Sequence, residues 1–138
     1  PADYFWHNGK TGLLIILECK SFKGSCSFER CKEDTGIIHH YQIETLDGFS
    51  EYPKIAVGFL LDFRKSENTY FLFIDEFIKM IGVINKKSFS ENDMLAHCSP
   101  ILIEKKKLKV NYRYNIEKFL EDIENVYHKK YGTTEETE

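Results

Sequence analysis

Hydrophobic positions along this chain fall into runs of clearly different rhythm. Leu13-Leu14-Ile15-Ile16-Leu17 is continuous and closes on Glu18-Cys19-Lys20. Ile55 to Phe63 is nearly continuous as well, the pattern of a strand buried on both faces. Thr69 to Ile74 follows across Lys65-Ser66-Glu67-Asn68, and the two runs read as antiparallel partners joined by a turn. From Lys107 the sequence alternates, with Leu108, Val110, Tyr112 and Tyr114 on one face and Lys107, Lys109, Asn111 and Arg113 on the other. Ile116, Phe119, Leu120, Ile123 and Tyr127 recur at helical spacing and predict a final helix over about residues 115–131 whose apolar stripe is core.

The remaining segments complete the expected architecture. Tyr4-Phe5-Trp6, the glycine-bearing stretch Asn8 to Gly12 and the first apolar run read as a β-hairpin. A polar loop from Ser21 to Gly36 comes next, then a short helix from about Ile38 to Phe49, stopped near Gly48 and Pro53. Gly58 leaves room for a helix to pack close on its strand, and Asp75 is placed to cap a short helix reaching about Met80. These elements predict an α/β fold with a central mixed β-sheet flanked by helices. One domain spans residues 1–131, and an acidic tail follows over 132–138.

Chemistry enters at the first hairpin. Strand side chains alternate between faces, so Glu18 and Lys20 project together while Cys19 points the other way. A turn centred between Lys10 and Thr11 sets Asp3 opposite Glu18. Directly opposed like charges are destabilising, and a divalent cation removes that penalty. Magnesium takes hard oxygen ligands and keeps several waters, so two converging carboxylates form a partial site with room for a phosphate. Lys20 can then hold the attacking water or offset charge growing on that phosphate. Glu-x-Lys alone carries little weight, because Glu104-Lys105-Lys106 repeats it. The apolar run and the acid across the hairpin set Glu18 apart.

Composition narrows the setting. No apolar stretch is long enough to span a bilayer, and the start lacks the basic and apolar regions of a signal peptide, so the expected location is the cytoplasm, with no membrane partner. The chain opens on Pro1 rather than methionine, the sign of a fragment, a processed product or part of a longer chain. The spacings of Cys19, Cys26, Cys31 and Cys98 fit no zinc finger or ribbon, and the thiols are expected to be free. A net charge of -3 does not announce a nucleic-acid binder, but charge is unevenly spread. Lys23, Arg30 and Lys32 in the polar loop, and the stripe of Lys107, Lys109 and Arg113, are candidate phosphate contacts. Adjacent His39 and His40 point about 100° apart on a helix, which favours solvent or DNA contact over shared metal ligation.

Asp3-Tyr4, Leu17-Glu18-Cys19-Lys20, Ser27-Phe28 and Ile38-His39-His40-Tyr41-Gln42-Ile43 together resemble the successive motifs of the RecU-type Holliday-junction resolvases, also called penicillin-binding-protein-related factor A, within the PD-(D/E)xK nucleases. The similarity runs from Asp3 to roughly Phe77. It implies a restriction-endonuclease-like core, a homodimer, and a magnesium-dependent endodeoxyribonuclease, manganese being a substitute metal, that nicks a four-way DNA junction during recombination and repair. It also implies that Asp3, Glu18 and Gln42 supply metal ligands while Lys20 stabilises the transition state. The sequence departs from the family where a hydroxyl residue is expected two before the aspartate, since Pro1 stands there. The interval from Glu18 to Gln42 is longer than the family's. The family's N-terminal helix and its junction-engaging stalk have no counterpart in these residues. Two other readings stand beside this one: a phage or mobile-element nuclease with a different DNA substrate, and a non-catalytic DNA-binding or scaffolding relative.

Overall fold

A computed structural model describes residues 3–132 of the chain. The tail expected over 132–138 therefore lies, from 133 onward, outside the described residues, as does Pro1. The first hairpin forms as the sequence predicts. Strand β1 (Tyr4–His7) pairs antiparallel with β2 (Leu14–Phe22), Tyr4 opposite Leu17 and His7 opposite Leu14. Beyond it, β3 (Cys26–Ser27) breaks the expected polar loop, and α1 (His40–Phe49) is the short helix, beginning two residues later than predicted. Then come β4 (Ile55–Phe63), β5 (Asn68–Phe73) and α2 (Ile74–Val83). Phe73 occupies the N-cap of α2, so Asp75 lies inside the first turn rather than at the cap, where its carboxylate still favours the helix dipole.

β2 and β4 pair in parallel, with α1 making the crossover between them, while β4 and β5 pair antiparallel. Two elements that the sequence reading did not predict follow α2: β6 (Ser88–Phe89), paired with β3, and α3 (Glu91–His97). Ser90 and Asp93 form a reciprocal capping box at the start of α3. β7 (Ile101–Leu102) joins the far side of β5, giving a mixed five-stranded sheet in the order β1-β2-β4-β5-β7. α4 (Ile116–Tyr131), capped by Asn115, closes the chain.

Alternation along the sheet divides the core in two. Ile16, Val57, Phe59, Leu61 and Leu72 pack with Ile43 and Leu46 of α1, Phe77 and Met80 of α2 and Met94 of α3. Ile15, Ala56, Phe71 and Phe73 pack on the other side with Phe119, Ile123 and Tyr127 of α4. The result is a helix–sheet–helix sandwich. Ile116, the first residue of α4, departs from its predicted place in the core and is 53% exposed.

Gly58 does answer to a close approach, but from a strand rather than a helix. A β-carbon there would stand 2.0 Å from the Leu72 carbonyl oxygen on β5, so the packing of β4 against its neighbour requires the missing side chain.

The alternating stretch after residue 104 is not a single strand with one core face. It folds back as a hairpin of β8 (Lys105–Lys107) and β9 (Tyr112–Tyr114), in which Lys106 opposes Arg113 and Lys107 opposes Tyr112. Val110 therefore sits in the turn, 91% exposed, instead of in the core.

Candidate active site

The site is built by the hydrogen-bond parity of the first hairpin. The Asn8 N–H donates to the Leu13 carbonyl at 2.8 Å, so even-numbered residues of β1 face β2 with their main-chain groups, and odd-numbered residues of β2 face β1. Cys19 is the next odd residue along β2. Its N–H donates to Oδ2 of Asp3 at 2.9 Å. The same register carried one step beyond Tyr4 and Leu17 sets Asp3 opposite Glu18.

Glu18 is buried on the face of β2 that it shares with Ile16 and Phe22, toward the α1 and α2 layer. Burial, then a hydrogen bond to Asp3 and the Asp3 charge, push its pKa up to about 7, and the nearby Lys20 ammonium pulls part of the way back. Near neutral pH the Glu18 carboxyl is thus held toward its protonated form. Lys20 is close enough to influence the Cys26 thiol as well, although burial dominates there and raises that pKa to about 12. Asp3 and Lys20 both lie near enough to Glu18 to act on its titration.

Gln42 has a more complicated position. It is buried at the third residue of α1, where its Oε1 accepts the N–H of the N-cap residue His39 at 3.0 Å. The amide oxygen is thus engaged in capping the helix, with its second lone pair left for any other partner.

The sequence reading missed the residue that fixes this end of α1. Glu29, also buried, accepts from His39 Nδ1 at 2.7 Å and from the His40 N–H at 3.1 Å. The His39 hydrogen bond, reinforced by the backbone bond from His40, holds the Glu29 carboxyl below the usual carboxylate range. His39 stacks on Tyr41 with ring centroids 5.5 Å apart, and His40 approaches Glu44 at 3.4 Å. The available signal was an acid shortly before paired histidines at a helix start.

Arg30 is committed to the fold rather than free for phosphate. Its guanidinium donates to the carbonyls of Ile81 at 2.6 Å, Ile84 at 3.0 Å and Lys86 at 2.7 Å, tying down the C-terminal end of α2. Lys107, Lys109 and Arg113 do not share a face as expected, because the chain turns between them. Lys107 pairs with Glu67 at 3.2 Å, Lys109 lies in the turn, and Arg113 stands beside Lys106 on the opposite face of the hairpin.

All four cysteines are free thiols, as expected. Among the described residues no group of three or more His, Cys, Asp or Glu side chains is arranged to hold a metal ion. The candidate centre is of another kind: two neighbouring carboxyl groups, with an amide oxygen as its third expected member. Hard oxygen donors of this number suit magnesium, which retains waters, and do not suit zinc. The raised pKa of Glu18, set first by burial and then by Asp3, marks a cost to its ionised form that a bound cation would offset.

The fold and site define a mixed α/β protein with a carboxylate pair and a lysine on one sheet face. No family model matches the chain. It is 34% identical over 124 residues to the SPbeta prophage-derived uncharacterized protein YotM of Bacillus subtilis (strain 168), a match that covers 81% of this chain and 61% of that protein. No helix among the described residues is long and apolar enough to cross a membrane.

Proposed function

We propose that this chain is a magnesium-dependent endodeoxyribonuclease with a restriction-endonuclease-like core, acting as a homodimer on branched DNA in recombination. The observation that carries the reading is the Asp3–Glu18 carboxyl pair with Lys20 on the Glu18 face of one hairpin. The parallel β2–β4 pair with its α1 crossover supports it by placing Gln42 on the helix that packs over the same sheet face.

A magnesium ion held by the two acids would supply Lewis acidity and lower the pKa of water beside the phosphate. Asp3 and Glu18 would hold it, with Gln42 contributing its amide oxygen. The Cys19 N–H fixes the Asp3 carboxylate, and the surrounding sheet fixes Glu18. Lys20 sets a positive charge where the phosphate becomes more negative in the transition state. Two copies related by a two-fold axis would present two such centres to two strands.

A second reading has one observation in its favour. The similar YotM protein is prophage-derived by name, which suits a phage or mobile-element nuclease with another DNA substrate. A magnesium-dependent nicking assay on four-way, flap and linear duplex DNA separates the two. Glu18→Ala and Lys20→Ala should each abolish cleavage while leaving DNA affinity largely intact. Cleavage retained by both variants removes these residues from the chemistry.

A further inference from the structure

The β8–β9 hairpin is anchored at its base and bare at its tip. On one face Lys105 lies over the Tyr112 ring at 4.4 Å and the Tyr114 ring at 5.5 Å, and its ammonium reaches Thr69 Oγ1 at 3.1 Å. Lys107 on the same face pairs with Glu67. These contacts fasten the ribbon to β5 and the β4–β5 turn, and the Asn115 N–H bonded to the Glu104 carbonyl at 2.8 Å closes its base.

The other face carries Lys106 and Arg113 opposite one another, and neither has an ion pair among the described residues. The turn is closed by the Leu108 N–H to the Asn111 carbonyl at 2.7 Å, and Val110 at its tip is the most exposed large apolar side chain described. No acidic residue occurs from Lys105 to Asn115, in a chain whose net charge is -3.

We infer that this hairpin is a DNA-binding ribbon whose Val110 tip wedges between bases at a kinked or branched step while Lys106 and Arg113 hold the flanking phosphates. The inference rests on the nuclease reading and specifies its substrate: DNA already unstacked at one position.

The physics is that of other apolar wedges. A two-stranded ribbon fits a DNA groove, and cations along it gain affinity from phosphate without sequence information. An apolar side chain inserted between bases must meet the cost of unstacking, which is smallest where a branch, bulge or mismatch has already met it. A fully hydrated valine at the summit of a basic ribbon gains from leaving water only if its partner offers such an opening. An acidic protein would satisfy the lysines and arginine but gives no reason for the apolar tip.

The test uses the full chain, with EDTA present to prevent cleavage, and titrates it by fluorescence anisotropy against four-way, single-base-bulge and linear duplex DNA. Val110→Ser makes no change to packing, so its melting curve should overlay that of the parent. It should weaken binding to the junction and bulge by about tenfold and leave linear duplex binding unchanged. Lys106→Ala and Arg113→Ala should weaken all three substrates and each lower the salt slope of binding by about one. 2-Aminopurine at the branch should brighten on binding the parent and not Val110→Ser. Equal affinity of Val110→Ser and the parent for every substrate, or no change in 2-aminopurine emission, overturns the wedge while leaving the nuclease reading intact. Absence of DNA binding by the parent on every substrate, both in EDTA and with calcium in place of magnesium, overturns both.

Discussion

Asp3 and Glu18 face one another across the first hairpin, one step beyond the Tyr4–Leu17 pair, and the Asp3 carboxyl helps to raise the pKa of Glu18. That proximity has measurable consequences for stability as well as for chemistry. The Glu18 pKa stands near 7 in the fold against an ordinary 4.5, so the fold favours the protonated acid. This contribution is fully present below about pH 4.5, declines as pH rises, and is gone above about pH 7, a loss of at most about 3 kcal/mol. Thermal melts in EDTA should therefore show the midpoint falling between about pH 5 and pH 8 in the parent. Glu18→Gln should remove most of that slope, and magnesium should restore stability chiefly at the alkaline end. A slope unchanged by Glu18→Gln would mean that other groups govern it.

Gln42→Ala removes the acceptor for the His39 N–H and should cost about 1 kcal/mol in urea unfolding without metal. If the same amide helps hold magnesium, the stabilisation that the metal confers on this variant should shrink beyond that baseline loss. Calorimetric titration with magnesium reads the second effect separately from the first.

Gly58→Ala should destabilise the protein by at least about 2 kcal/mol, because the new methyl would meet the Leu72 carbonyl across the strand pair. Urea unfolding measures it. A neutral result would show that β4 and β5 can separate locally at no cost.

Arg30→Ala should lower stability by about 1–2 kcal/mol through loss of its charge-assisted bonds to the end of α2, and leave DNA affinity unchanged. A drop in DNA affinity with unaltered stability would return Arg30 to the phosphate contacts first expected of it.

Much of this architecture could be read from the chain because long strands and one long amphipathic helix impose periods that local sequence cannot hide. β2, β4, β5 and α4 were legible for that reason, and the parity of β2 alone placed Glu18 with Lys20. The segment from Ile84 to Ile103 was not. Its two-residue strands β6 and β7 are too short to have a period, and they exist because larger neighbours offer them an edge. The 105–114 segment misled for a related reason: strict alternation continues through a turn, so the pattern fits one strand as well as two. Arg30 looked like a free cation because the carbonyls it serves lie 51 to 56 residues away along the chain.

Position 19 contributes to the acid pair only through its amide hydrogen. Its sulfur points to the opposite layer, so the thiol is dispensable for holding Asp3. Any residue that keeps a backbone N–H can make that bond, and proline alone would leave the aspartate untethered.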